Sequence, residues 1–434
     1  MIDALRKFVR KRRDLKQVDA LLGEWRALLD APNSGLLTAA PTRDILLIPP
    51  EPISLVGSKG DEAMLVSVIS TLASAGRQVD IAVGAHWKAL PPVLVRAGAG
   101  AMLPIWDYSI DLTTVVRNMA PYREIVLIGA DVMDGYYSAS KSFRFFMIAD
   151  LATRFGKRSS ITGFSFNNNP APSLQKLPFK EFSQGTRLCL RDPVSLDRFG
   201  KLSCGLGRLT ADIAFLLQPD EDSSQLTSVR HWASCRRDDG EFVLGFNIHP
   251  ALLPDNDAAM GGLVSASISA LRKLLAEGGL SVLFISHDAR ATSSDSLSIK
   301  PVFDALKADF DAHVHLIEAD RSAAELKAVA GLADAVFTGR MHLSIAALGM
   351  GVPVAWATYQ GKFEGLAKHF NLPDWLLIEP SRLSGRPELL EQVLRRIVNE
   401  QDSLKSVVGE RLLQIKELSR DNLSKDETAK VAPR

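Results

Sequence analysis

In the stretch TGRMHLSIAALGMG, residues 338–351, a permanent cation and a titratable ring interrupt an otherwise apolar run: Arg340 and His342. The preceding DAVFTG reads as a strand ending in a glycine turn. After it, Leu343, Ala346, Ala347 and Met350 recur at helical spacing and give the helix a face to bury. Arg340 and His342 therefore fall where a strand ends and a helix begins. Free backbone N–H groups and the positive end of the helix dipole favour an anion there. A cation at that position is unfavourable alone, so it calls for a negative partner. That partner is either an anionic ligand across a cleft, the expectation adopted here, or a structural carboxylate, with His342 merely capping.

Other chemistry-bearing residues sit at similar junctions. In GSKGDEAML, Gly57 and Gly60 permit a tight turn and Asp61 caps a helix running to Ser74. IGADVMDG sets Asp131 and Asp134 just past a strand end, as a proton acceptor or sugar ligand, or else as turn residues. RDPVSLDRF puts Arg191 at another strand end, with Pro193 well placed to open a helix. His249 and His287 end strands in the second half, lining a cleft or starting a loop. His86 and Trp87 offer a sugar a stacking surface or anchor a loop. His313 and His315 share a strand face, but without a third ligand at suitable spacing no metal is expected.

The elements that must position these residues alternate between short apolar runs and longer amphipathic stretches, the pattern of parallel α/β architecture. Strands are expected at DILLIP, QVDIAV, AMLPIW, EIVLIG, SSITGFSF and TRLCL, and then at EFVLGFNI, LSVLFIS, AHVHLIE, DAVFTG and PVAWAT. Between the two series, the polar segment 218–240 reads as a linker. The expected organisation is a basic helical segment (1–40), an N-terminal α/β domain (41–217), the linker, a C-terminal α/β domain (241–385), and a final helix with a polar tail (386–434). Two such domains would offer strand ends and helix starts to one cleft from both sides.

With 51 basic and 50 acidic residues the formal net charge is +1, so no global field points to nucleic acid, and anion recognition must be local. The three cysteines show no metal or redox spacing, and the N-terminus has no apolar run behind its charges. A cytoplasmic protein without a spanning helix is expected. Six basic residues fall between Arg6 and Arg13; a solvated helix face is one reading and contact with an anionic membrane surface the other.

In their order along the chain, GSKGDEAM, GADVMDG, RDPVS, LTADIAF, FISHD, TGRMHLSIAALGMGVPV and YQGKFEGLAKHF resemble the polysaccharide pyruvyltransferase family, over roughly Arg43 to Asn371. The resemblance implies two Rossmann-like domains facing across a cleft, as in GT-B glycosyltransferases. It also implies transfer of the carbon skeleton of phosphoenolpyruvate (PEP) onto two hydroxyls of a sugar, free or lipid-linked, as a cyclic ketal. On that basis His342 is the expected general acid, with Asp61 or Asp134 taking a hydroxyl proton. The resemblance carries Arg340 and Arg191 onto positions that hold PEP; Lys362, in the turn after ATYQ, is expected to neutralise its phosphate or else to be an exposed loop lysine, and Gly60, Asp131 and His287 are expected to line the cleft. No metal or cofactor is expected beyond PEP as donor. The alternatives are a GT-B glycosyltransferase using a nucleotide sugar and a non-catalytic anion-binding relative.

Overall fold

Runs such as ILLI, IVLI and LSVLFI are buried at consecutive positions rather than alternate ones, which suits strands covered by helices on both faces. The computed structural model describes residues 2–29, 40–107, 110–254, 256–290, 293–358 and 361–424, with side chains from residue 12 onward. Strands β1 (Arg43–Ile48), β2 (Val79–Ala82), β3 (Ala99–Leu103), β4 (Tyr122–Ile128), β5 (Arg158–Phe164), β6 (Arg187–Leu190) and β7 (Gly207–Leu209) form one sheet, in the order β3-β2-β1-β4-β5-β6-β7. Strands β8 (Phe242–Phe246), β9 (Leu280–Ile285), β10 (Val314–Ile317), β11 (Ala335–Thr338), β12 (Val354–Ala357) and β13 (Leu377–Ile378) form the second, in the order β10-β9-β8-β11-β12-β13. All neighbouring strands pair in parallel.

Each order reverses once, between β1 and β4 and between β8 and β11. That is the doubly wound, Rossmann-like topology, in which ligands gather outside the C-terminal strand ends at the reversal. The chain is thus an α/β protein with two such domains facing one another across a cleft.

The pleat divides the packing. Ile45 and Leu47 of β1 belong to an apolar core that runs on, through the segment Ile213–Leu217, into the second sheet. Leu46 and Ile48 point the other way, into a separate core shared with the N-terminal helix Ile2–Leu29 and the helix Ala139–Arg154. Val18, Leu21, Leu22, Trp25 and Leu28 give the N-terminal helix its buried stripe, and Trp25 Nε1 donates to Asp150 Oδ2 at 2.9 Å. Of the basic run, only Arg12 and Arg13 have described side chains, and both are exposed; Arg6, Lys7, Arg10 and Lys11 lie outside the described side chains.

Two expectations need correction. Segment 218–240, read as a linker, contains a helix, Thr227–Asp238, that packs Val229 into the core shared with the second sheet and also buries Ala233. The polar tail expected after Ser419 is partly an anchor. The final helix, Pro387–Arg420, leaves the second domain and ends against the first. There Asn422 is fully buried; its Oδ1 accepts from Gly163 N at 2.7 Å and its Nδ2 donates to Ala211 O at 2.8 Å. These polar side chains serve as backbone partners, which is why their polarity misreads as exposure. No helix among the described residues is long and apolar enough to cross a membrane.

Candidate active site

Both sheet reversals open onto one cleft of about 830 Å³, lined from either side by loops that follow strand C-terminal ends. The first domain supplies Ser58 to Asp61 after β1, Asp131 after β4 and Arg191 after β6. The second supplies His287 and Asp288 after β9, Arg340 and His342 after β11 and Lys362 after β12. Among the described residues, six cations line it (Lys59, Lys141, Arg191, Arg290, Arg340, Lys362) against four carboxylates (Glu51, Asp61, Asp131, Asp288).

His342 lies in the first turn of the helix Met341–Gly349 and presses its ring onto the start of the helix Lys59–Ser74 across the cleft. A Cβ on Gly60 would stand 2.7 Å from the ring's Cε1 and 2.8 Å from Cγ, so only glycine admits this contact. The ring's Nε2 is buried with no hydrogen-bond partner among the described residues; Asp212 Oδ2, at 3.8 Å, is too far. Burial lowers the imidazole pKa. Asp212 and Asp131 pull it up, whereas Arg191 and Lys362 push it down. Asp212 also accepts from Arg191 Nη1 at 2.9 Å, so one buried carboxylate stands between the arginine and the histidine.

Arg340 combines both sequence readings. It lines the cleft, but its Nε and Nη2 donate to Asp295 Oδ1 at 2.9 and 2.5 Å, its Nη2 also reaches Ser293 O, and its Nη1 lies 3.2 Å from Asp288 Oδ2. That leaves one Nη1 N–H without a partner among the described residues. Two carboxylates, the alternative partner, already balance the guanidinium, and it still lines the cleft in which an anionic ligand was expected. Behind it, Arg340 N donates to Thr338 Oγ1, Thr338 Oγ1 to Asn247 Oδ1 and Asn247 Nδ2 to Asp295 Oδ2, a buried chain that locks the group in place.

The same holds for the other cations, each within 3.4 Å of a carboxylate: Lys59 with Glu62, Lys141 with Glu51, Arg191 with Asp212, Arg290 with Asp288 and Lys362 with Asp131. So many positive groups cannot converge in a partly desolvated space unless counter-charges hold them there. Lys362 reaches Asp131 from the opposite domain at 2.9 Å. Although burial raises the Asp131 pKa, the Lys362 ammonium outweighs it and holds the carboxyl well below its usual range.

Asp61 stays in the cleft as expected. Ser58 caps the helix by accepting from Asp61 N at 3.0 Å, and its hydroxyl returns a 2.8 Å bond to the carboxylate. Burial pushes the Asp61 pKa up to about 6, with Ser58 opposing and Asp131 adding to the rise. His287 lines the cleft, its pKa lowered to about 3 by burial and by His342 and Arg340, so it is a neutral ring at physiological pH. Gly60 and Asp131 also line it.

Asp134, expected as a proton acceptor, does not reach the cleft. It is fully buried beneath the loop, where Oδ1 accepts from Tyr136 N at 2.9 Å, so it is the turn residue of its motif. His249 is likewise buried away from the lining, against Gly339 O. His86 and Trp87 anchor their loop on Ile53 O and Pro52 O. His313 pairs with Glu241, and His315 lies against Trp232.

Sequence reasoning missed Lys59, Lys141, Arg290, Asp212 and Asp288 as site residues. Lys59, Asp212 and Asp288 stand inside GSKGD, LTADIAF and FISHD, and Arg290 follows two residues later. Lys141, in the first turn of Ala139–Arg154, carries no motif signal.

Solved structures with similar backbones share low identity. A UDP-GlcNAc 2-epimerase from Neisseria meningitidis, bound to UDP-GlcNAc, matches with a TM-score of 0.56 at 12% identity, over 89% of this chain and 100% of that one. A UDP-N-acetylglucosamine 2-epimerase gives 0.54 at 13%, over 91% and 100%, and a UGT transferase from Siraitia grosvenorii in complex with UDP gives 0.51 at 11%, over 88% and 98%. They bear on fold alone and agree with a GT-B-like pair of domains. No curated protein matches. The family model described as polysaccharide pyruvyl transferase matches residues 59–361, a span that runs from Lys59 in the first helix of the cleft to the glycine preceding Lys362. The chain belongs to the polysaccharide pyruvyl transferase family and is a transferase.

Proposed function

We propose that the protein transfers the pyruvyl carbon skeleton of PEP onto two hydroxyls of a sugar, in a polysaccharide or lipid-linked oligosaccharide, forming a cyclic ketal and releasing phosphate. The observation that carries this reading is the His342 Nε2 atom, buried beside Arg191 with no hydrogen-bond partner among the described residues, in a cleft that six cations of those residues line. PEP brings a phosphate and a carboxylate on a three-carbon frame. Cations set apart on both walls suit such a donor, and arginine adds a planar fork. Each close charge pair contributes roughly 4 kcal/mol before desolvation at an effective dielectric near 20. The donor would compete with Asp288, Asp212 and Asp131 for their partners, so the preformed pairs set positions and also temper affinity.

In the reaction, a proton adds to the PEP methylene, giving a methyl group and oxocarbenium character at the adjacent carbon. The first sugar hydroxyl attacks that carbon and gives up its proton. The C–O bond to phosphate then breaks, phosphate leaves with the bonding pair and takes up a proton, and the second hydroxyl closes the ring as it loses its own. His342 is the proposed donor of the first proton. Burial keeps it neutral in the free protein, and a bound multianion favours its protonated form. Asp61, with a pKa of about 6, is ionised at neutral pH and suited to accept a hydroxyl proton. PEP serves as substrate, and the scheme calls on no further cofactor. An acceptor carried on lipid would be met at the cytoplasmic face of a membrane, where exposed Arg12 and Arg13 favour an anionic surface.

The test is phosphate release from PEP across a panel of oligosaccharide and lipid-linked acceptors, alongside thermal shifts with PEP and with UDP-sugars. Stabilisation by PEP and acceptor-dependent phosphate release, both lost in Arg191→Ala, with release also lost in His342→Ala, is the expected result. Stabilisation by a UDP-sugar but not by PEP would refute it.

A further inference from the structure

Where the chain leaves β4, two consecutive tyrosines stand at the cleft. Tyr136 and Tyr137 are 57% and 51% exposed, and their rings meet edge to face with centroids 5.1 Å apart. Aromatic surface of this size is costly to leave in water, and here it lines the cleft beside Asp131, Val132 and Ser138. The loop is also held in shape. Asp134 accepts from Tyr136 N at 2.9 Å below it. Just beyond it, Asp14 of the N-terminal helix accepts from Ser138 Oγ at 2.7 Å and from Ala139 N at 2.8 Å, capping the next helix. An exposed aromatic pair fixed from both sides is preorganised for a ligand rather than a stray surface feature.

What would fit is set by the neighbours. Tyr137 donates to Asp131 Oδ2 at 3.3 Å, and the Asp131 side chain keeps 35% of its surface accessible. Gln17, from the N-terminal helix, lines the same wall. A flat ring edged by a carboxylate and an amide matches a saccharide, which presents an apolar C–H face and a rim of hydroxyls. The cation cluster that suits a phosphorylated donor adjoins this wall, since Lys362 Nζ lies 2.9 Å from Asp131 Oδ2 and 3.4 Å from Tyr137 Oη, so a sugar on Tyr136 would face the donor.

We infer that Tyr136 and Tyr137 form a saccharide subsite, the ring lying on Tyr136 and its hydroxyls meeting Asp131 and Gln17. The inference rests on the pyruvyl-transfer reading only in taking the bound sugar for the acceptor. The test is saturation-transfer NMR on the full chain with lactose, N,N′-diacetylchitobiose and mannobiose as probes. Wild type should transfer saturation to ring protons of at least one probe. Tyr136→Ala should weaken that binding about tenfold, the loss expected for one stacking contact, and Tyr136→Trp should retain it. The PEP-induced thermal shift should be the same in Tyr136→Ala as in wild type, which also shows that the variant is folded. Equal sugar signals in wild type and Tyr136→Ala, or no signal from wild type, would overturn the subsite. Sugar binding through Tyr136 in a protein that releases no phosphate from PEP would uphold the subsite and remove the transfer chemistry.

Discussion

Gly60→Ala separates the site's geometry from the fold's stability. Gly60 sits in the first turn of the helix Lys59–Ser74 and does not have positive φ, so the backbone accepts alanine there without strain. Helix propensity alone gives the variant up to about 1 kcal/mol of added stability. The new methyl group, however, would lie 2.7 Å from His342 Cε1 and closer still to Nδ1. Ordinary carbon contacts fall near 3.5–4.0 Å, so the ring must retreat by about 1 Å. It cannot do so freely, because it is enclosed between the two domains beside Arg191 and Asp212. A displacement of that size at a proton donor typically costs about 10²-fold, or roughly 2.7 kcal/mol of barrier. The assay pairs acceptor-dependent phosphate release from PEP with thermal unfolding. The expected outcome is kcat reduced about a hundredfold with Tm lowered only modestly, the roughly 1–3 kcal/mol of an overpacked methyl being partly offset by the gain in helix propensity. Wild-type kcat at full stability would refute the claim that the Gly60–His342 contact sets the position of the reacting proton.

Asp61→Asn should remove the acidic limb of the pH–rate profile, which falls below pH about 6 as the carboxylate takes up a proton, and should lower kcat at pH 7. The folded protein holds that proton more tightly than the unfolded chain, so ionising it between about pH 4 and 6 costs stability, and Asp61→Asn should raise Tm at pH 7. Lys327 is buried and donates to Phe215 O at 3.1 Å and Leu217 O at 2.6 Å, and burial lowers its pKa to about 7. The unfolded chain binds that proton more tightly, so stability should climb from pH 7 towards 10 by at most about 1.4 kcal/mol per pH unit; urea titrations of Lys327→Met should show a flatter rise. Lys362→Met leaves Asp131 facing a polar cleft without its cation. With the Asp131 side chain partly exposed, the expected loss is about 1–2 kcal/mol in denaturant unfolding, and Asp131→Asn in the same background should recover most of it.

The fold was largely legible because burial on both faces writes strands as short continuous apolar runs. All eleven expected strands are present, whereas β7 and β13 were missed; they are edge strands of three and two residues, too short to leave a pattern. Residues at strand ends were legible for the same reason, and Arg340, His342, Asp61, Asp131, Arg191, His287 and Lys362 all reach the cleft. What failed was pairing. Nothing in the spacing of residues 191, 212 and 342 says that one carboxylate lies beside both other groups, since that depends on how two sheets face each other. Asp131 and Asp134 stand in one motif, yet only the first faces the cleft, because the turn closes on the second.

The return of the final helix bears on how relatives can be recombined. Residues 419–424 lie far along the chain, but Ser419 and Asn422 complete hydrogen bonds of the first half, at Asp212 O, Gly163 N and Ala211 O. A chimera cut once at the domain border would join a front half to a foreign terminus that does not fit its sockets. Swaps that carry this last turn together with the front half should express and fold where single-junction hybrids precipitate.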